Sequence, residues 1–445
     1  MEWSTHLHPR GGSRSLALRR PSCQSASEGK VLRNPTVNRD SQSSGPTPVE
    51  VPASPAAALD AELRADLAEL DAADLLRRLR RIEGRQGPRM RIDGRDVLLL
   101  AGANYLDLAA DPRVLSGAHE ALDACGAAAG GARLISGNLD LHTELERELA
   151  AFLGRPAALL FSTGYMANLG VLTALAREDD AIVSDALNHA SIIDACRLSG
   201  ARTHRFRHND PEDFARVAGR LSGEGRRILV LDGVYSMDGD VAALAELAPI
   251  ARAHDMLIVL DDAHGIGVLG AKGRGVAELL ATEVDVVIGN LGKALGSFGA
   301  FAACSETVRE WLVQRARSFI FTCALAPAAV GAARAALRVI RDEPARRSTL
   351  RARAERLRNG LAQAGFDTLR STTHVVPALV GENARTMQLC ERALARGVYA
   401  QGIRYPSVPN GQARLRLTPM CSHSEAEIDA AVALFAELRG AAWAT

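Results

Sequence analysis

Between about residue 110 and residue 325, short apolar runs alternate with stretches of helical periodicity. The runs are Ala157–Phe161, Ala181–Val183, Ile228–Leu231, Met256–Leu260, Val284–Ile288 and Ala300–Ala303, and each closes on a polar or glycine cluster. A continuous apolar run suits a strand buried on both faces, and strands separated by helices pair in parallel. The pattern predicts an α/β domain with a largely parallel sheet. In such sheets ligands collect at the carboxyl ends of strands. The residues just after each run therefore carry most of the functional information.

The flanking segments read differently. Residues 1–55 are rich in Ser, Pro, Arg and Gly without apolar periodicity, and are expected to be a disordered extension. Their Arg- and Ser-rich, acid-poor start also fits a transit peptide, though the plain extension is preferred. Residues 56–100 predict an amphipathic helix, with Leu63, Leu67 and Leu70 at helical spacing, and then a hairpin around Asp93-Gly94. Residues 101–330 form the expected large domain. Residues 331–445 predict a smaller α+β domain, with a strand at Val375–Val380, a helix near Arg385–Arg396, a strand at Ala413–Thr418 and a last helix from Ser424.

The bulk properties exclude several classes. A formal net charge of +1, with no basic stripe, gives no reason to expect nucleic acid. No apolar run reaches membrane-spanning length. The seven cysteines are scattered, with no CxxC pair, which predicts a reduced, cytoplasmic protein with no disulfide framework and no structural metal.

Three strand ends carry chemistry. Met256–Leu260 runs into Asp261-Asp262-Ala263-His264-Gly265. A carboxylate there can hold a pyridine nitrogen protonated, with His264 near a ring oxygen; taken alone, Asp261 reads rather as a cap for the next turn. Ala157–Phe161 leads into Ser162-Thr163-Gly164-Tyr165, a turn that serves as an ordinary helix start or as a phosphate site. Val284–Ile288 leads into Gly289-Asn290-Leu291-Gly292-Lys293. Of the 53 basic residues only Lys30, Lys272 and Lys293 are lysines. Arginine keeps its proton and forms no imine, whereas lysine in a suitable site attacks a carbonyl. Position singles out Lys293, one strand after Asp261. His189 and Ser236, after two further strands, are additional candidates, although a lone histidine is more often packed in a core.

With these residues in view, the chain resembles the α-oxoamine synthases, fold-type I enzymes that use pyridoxal 5'-phosphate (PLP). The matching stretches are RLISGNLDLHTELE (133–146), FSTGYMANL (161–169), SDALNHASIID (184–194), GVYSMDGD (233–240), LDDAHGIGVLG (260–270), GKALGSFGAF (292–301), FIFTCALAP (319–327) and YPSVPNGQARLRL (405–417). Any one is weak, but eight in family order are specific. The resemblance implies a large domain with a mainly parallel seven-stranded sheet and a smaller C-terminal α+β domain. It implies Lys293 as the lysine that holds PLP as a Schiff base, Asp261 as partner of the ring nitrogen and His189 as the stacking histidine. Ser236 and His264 are implied as contacts around the ring oxygen, with Gly164 and Tyr165 at the phosphate. Thr322 is implied to reach the phosphate of a neighbouring subunit, hence a homodimer with a shared active site. Arg416 is implied to bind the amino acid's carboxylate through its planar fork.

Three positions depart from the family pattern. Ala103 stands where an asparagine usually helps hold the carboxylate, with Asn104 beside it. Asn290 stands where Thr or Ser usually donates to phosphate, and its amide can still donate. Cys323 replaces a small polar residue. The implied reaction condenses a small amino acid with an acyl thioester, on CoA or a carrier protein, as 8-amino-7-oxononanoate synthases do in biotin formation. Glycine C-acetyltransferase, a secondary-metabolite acyltransferase and an aminotransferase are the alternatives. A non-catalytic partner subunit is a further one, against which the presence of Lys293 argues.

Overall fold

In the computed structural model, which describes residues 54–223 and 225–443, seven strands form one sheet. Their spatial order is Ala157–Phe161, Ala300–Cys304, Val286–Asn290, Met256–Asp261, Arg227–Asp232, Ala181–Asp185 and Arg202–Phe206. Ala300–Cys304 runs antiparallel to both of its neighbours. All the other pairings are parallel. The reason lies in the link Leu291–Gly299, which contains no helix. A parallel return needs a crossover of about a dozen residues or more, so the chain turns straight back.

Successive strand residues enter two different cores. Ala181, Val183, Leu229, Leu231 and Leu260 face one, which also takes Leu145 and Leu149 of the helix Asp140–Leu153 and Val330 of the helix Pro327–Asp342. Ile182, Ile228, Val230 and Val259 face the other, under the helices Gly164–Leu175, Ala190–Ser199 and Glu306–Arg315. With both faces covered, the central strands are almost wholly apolar until their ends. Burying one such leucine or isoleucine contributes about 1.5–3 kcal/mol.

A three-stranded antiparallel sheet, in the order Val376–Gly381, Ala413–Leu417, Gln401–Ile403, packs with the helices Ala345–Gln363, Asn383–Ala395 and Glu425–Trp443. Leu357, Leu361, Leu389, Leu415 and Phe435 form its core. The hairpin strands Arg89–Ile92 and Arg95–Leu99 pair across Asp93 and Gly94, at φ 48° and 77°. Both central residues thus take the left-handed conformation that a tight two-residue hairpin turn requires. Residues 61–445 form one compact unit; of residues 1–60 only those from 54 are described. The extension expected at residues 1–55 thus lies outside the described residues as far as 53.

Two elements differ from expectation. The amphipathic helix spans Pro55–Ala72, whereas the leucine spacing predicts it from Leu59 to about Ile82; Asp74 adopts φ 55°, and the amides of Leu75 and Leu76 both bond back to the Leu70 carbonyl. Its leucines are exposed in the chain as described. The edge strand Arg202–Phe206 has the sequence RTHRF and carries no apolar run. Sheet edges tolerate polar residues on both faces, so apolar content does not reveal it.

Candidate active site

Three neighbouring parallel strands end together. Asp232 and Asp261 are register partners, and Asp261 pairs in turn with Ile288, two residues before Asn290. The fold therefore sets two carboxylates side by side at the carboxyl edge. Around them lie Gly164, Tyr165, Asn168, His189, Ser191, Ser236, Ala263, His264, Asn290 and Lys293, lining one recess.

Lys293 sits in the turn after Val286–Asn290, with Nζ 3.0 Å from His264 Nε2. Burial lowers the pKa of its amine; Asp261 and Asp232 oppose that fall, and Arg416 adds to it. His264 is buried, and burial followed by the charge of Lys293 holds it far below its ordinary pKa, hence neutral at pH 7. Its Nδ1 lies 2.7 Å from Tyr105 Oη, and Arg416 Nη2 donates to that same Oη at 3.5 Å. The relay has two proton settings. An ionised Lys293 donates to Nε2, and a neutral amine accepts from Nε2–H.

Asp261 is 5% exposed. Its Oδ2 accepts from Asn168 Nδ2 at 2.6 Å, and its Oδ1 accepts from the Ala263 amide at 3.1 Å. The Asn168 amide also donates to Ser191 Oγ at 2.9 Å. Beside it, Asp232 Oδ2 accepts from the His189 amide at 2.8 Å. Burial, with Asp261 adding to it, raises the pKa of Asp232 well above the usual carboxylate range. One carboxylate of the pair is thus pressed to hold a proton beside the other.

His189 caps the helix Ala190–Ser199, with Nδ1 2.7 Å from Ser191 Oγ. It presents surface to solvent. The protein around its ring still removes enough water to lower its pKa, an effect that Asp261 opposes and Lys293 reinforces. On the far wall Gly164 opens the helix Gly164–Leu175, capped by Thr163 Oγ1 accepting from the Met166 amide at 3.1 Å. A β-carbon on Gly164 would lie 2.9 Å from Asn290 Nδ2, so the bare α-carbon leaves room there. Asn290 Oδ1 accepts from the Gly292 amide at 2.7 Å, which turns Nδ2 toward the helix start. Tyr165 is exposed, and its hydroxyl donates to Asp194.

Arg416 comes from the small sheet. Its Nε donates to the Ser236 carbonyl at 2.6 Å, while Arg414, two residues earlier, donates to Asp238 Oδ1 at 2.6 Å. One strand thus grips the loop that carries Ser236. A larger cleft, of about 650 Å³, lies beside Arg77, Arg80, Tyr399 and Arg404 and contains none of the strand-end groups.

The aminotransferase class I and II family model matches residues 95–435. The 8-amino-7-oxononanoate synthase of Geotalea daltonii is 48% identical over 378 residues, 84% of this chain and 96% of that protein. The one from Geobacter metallireducens is 49% identical over the same shares. The solved structure of S. paucimobilis serine palmitoyltransferase with bound PLP and myriocin is 32% identical, with a TM-score of 0.83 over 87% of this chain and 99% of that one. The chain belongs to the α-oxoamine synthases of the aminotransferase class I and II family.

In this α-oxoamine synthase, Lys293, Asp261, His189, His264, Ser236, Gly164, Tyr165 and Asn290 all line one recess. Arg416 adjoins it through Tyr105. Thr322 does not line it, lying instead beside Ser162, Phe319 and Cys323. Asn104, beside Ala103, is engaged within its own turn. Its Oδ1 accepts from the amides of Leu108 and Ala109 at 2.9 and 3.1 Å, and its Nδ2 donates to Asp107. Tyr105, Asn168 and Asp232 escaped the sequence reading. Asn168 had a readable signal, because it lies one helical turn past Gly164 and shares its face.

Among the described residues, no group of three or more His, Cys, Asp or Glu is placed to hold a metal ion. No helix among them is long and apolar enough to cross a membrane.

Proposed function

We propose that the chain makes 8-amino-7-oxononanoate from L-alanine and a seven-carbon dicarboxylic acyl thioester, releasing CO2 and the thiol. The product name carried by the relatives supports these substrates. Cutting the bond between its ketone carbon and its amino-bearing carbon leaves a seven-carbon diacid fragment and an aminoethyl fragment. The latter is alanine without its carboxylate. The observation that carries the reading is Lys293, with its lowered amine pKa, facing buried Asp261 across one recess.

The recess fits PLP. It offers an amine for the aldehyde, a buried carboxylate for a protonated ring nitrogen and an imidazole open to a ring face. Gly164 and Asn290 Nδ2 stand ready for the phosphate at a helix start. Bound PLP supplies an electron sink for the pair left on the substrate Cα. Asp261, fixed by Asn168, keeps that sink protonated. Lys293 holds the cofactor at rest, and its amine then takes the Cα proton, with His264 Nε2 beside it to share the charge. Arg416 binds the alanine carboxylate and Ser236 contacts the ring oxygen.

Thr322, outside its own chain's recess, serves the phosphate of a second copy, so the working form is a homodimer. Incubating the protein with PLP, L-alanine and pimeloyl-CoA or pimeloyl carrier protein, and following thiol release and product mass, tests the reading. Thiol release with glycine and acetyl-CoA but not with these substrates would replace it.

A further inference from the structure

His208 lies outside the recess and takes no part in the steps above, yet two of the recess loops meet on it. Its Nδ1 lies 3.0 Å from Asp185 Oδ1, and its Nε2 lies 2.8 Å from Asp240 Oδ2. Asp185 ends the strand Ala181–Asp185, four residues before His189. Asp240 closes the loop that carries Ser236. The next residue repeats the link: the Asn209 amide donates to Asp185 Oδ2 at 2.9 Å, and Asn209 Nδ2 donates to Asp240 Oδ2 at 2.9 Å. Asn209 Oδ1 accepts from the Ala243 amide at 2.9 Å. Tyr235 stands edge-on to the imidazole, with ring centroids 4.3 Å apart.

We infer that His208 is a positioning residue, an imidazolium clamp between Asp185 and Asp240 that fixes the distance between the stacking His189 and Ser236. The inference rests on the PLP reading above. The physical basis is donor count. Only the ionised ring donates from both nitrogens; the neutral ring must present a lone pair to one of two carboxylates. The titratable groups that face it are Asp185, Asp240 and the Tyr235 hydroxyl, which burial holds protonated. Burial opposes the charge on the ring, but the two carboxylates outweigh it and raise the pKa to about 9. A raised pKa means the clamp is whole below the ordinary histidine value and is lost as pH rises through about 9.

The test uses full-length protein and PLP itself. His208→Gln keeps one donor and most of the volume. Expected is a folded variant with an unchanged far-ultraviolet spectrum. Its PLP dissociation constant, read by fluorescence titration, should rise about tenfold or more, in line with loss of a charge-assisted hydrogen bond. Its kcat should fall more than its KM for alanine rises. PLP affinity and kcat within twofold of the unaltered protein would overturn the clamp, even if the melting temperature fell. Should His208→Gln fail to fold, Asp240→Asn decides. That change keeps an acceptor and removes the charge, so the alkaline fall in PLP affinity should move to lower pH. Profiles that superimpose on those of the unaltered protein would refute the inference. If the unaltered protein itself binds no PLP, the PLP reading fails and not the clamp alone.

Discussion

The Lys293 amine and the His264 imidazole are held 3.0 Å apart with no carboxylate between them. A neutral histidine gives the amine an acceptor without a full negative charge, whereas a carboxylate in its place would hold the amine charged. Here burial and a neutral acceptor leave the amine free to lose its proton. Tyr105, at the other ring nitrogen, fixes which way the imidazole faces.

Replacing Lys293 by Ala should remove the imine absorbance near the visible edge and lower kcat by about 10²–10⁴-fold or more. Lys293→Arg should behave the same way, because a guanidinium neither condenses with an aldehyde nor gives up its proton at neutral pH. An absorbance scan with added PLP checks both. Retention of the band in either variant would remove Lys293 from its role.

Asn168→Ala should weaken PLP binding. It deletes the 2.6 Å donor to Asp261 Oδ2 and leaves a buried carboxylate short of one partner. Hydrogen bonds to charged groups contribute about 1.5–3 kcal/mol, equivalent to a rise of about 10- to 160-fold in the PLP dissociation constant. Equilibrium titration by protein fluorescence reads it. An unchanged constant would mean that Asp261 needs no such support.

Arg416→Lys should raise the KM for the amino acid by about tenfold or more while the absorbance of the resting protein stays the same. The substitution keeps the charge but loses the planar fork and the Nε donor to the Ser236 carbonyl. Initial rates over a range of alanine concentrations separate KM from kcat. A fall in kcat alone, at unchanged KM, would place Arg416 elsewhere in the reaction.

Glu343 gives a prediction about acid. The guanidinium groups of Arg113 and Arg346 hold its carboxyl down at about 2. A depressed carboxyl pKa contributes stability that is complete above the ordinary carboxylate value and disappears as pH falls toward about 2. Glu343→Gln should therefore melt below the unaltered protein at pH 7. The gap between the two should close between about pH 4.5 and pH 2. Melting curves across that range test the sign, and a gap that widened in acid would contradict it.

Leu229 is fully buried in the core on one face of the large sheet. Leu229→Ala should cost about 2–5 kcal/mol through lost burial and the cavity left behind. Urea unfolding measures it. PLP affinity in the folded variant should stay close to that of the unaltered protein, since Leu229 lies back from the strand ends.

Much of the recess was legible because parallel strands concentrate function at one edge. Once Met256–Leu260 and Val284–Ile288 read as buried strands, Asp261, His264, Asn290 and Lys293 had to lie near one another. What stayed hidden depends on tertiary distance. Tyr105 meets His264 across 159 positions of sequence, and no local pattern announces that. Asp232 closes the apolar run Ile228–Leu231, and its meaning comes from register with Asp261. The antiparallel turn of Ala300–Cys304 was available in principle, since Leu291–Gly299 is too short and too glycine-rich for a crossover helix. Arg202–Phe206 was not, because an edge strand needs no apolar face.

The scarcity of lysine has a practical consequence. Among the described residues, the only side-chain primary amines are that of Lys272, in an exposed turn, and that of Lys293, half-buried beside His264. A mild hydride reagent added to the coloured protein would fix the cofactor irreversibly to one of very few nitrogens. Trypsin cutting at Arg274 and Arg309 would then release a single tagged peptide whose mass names the bond.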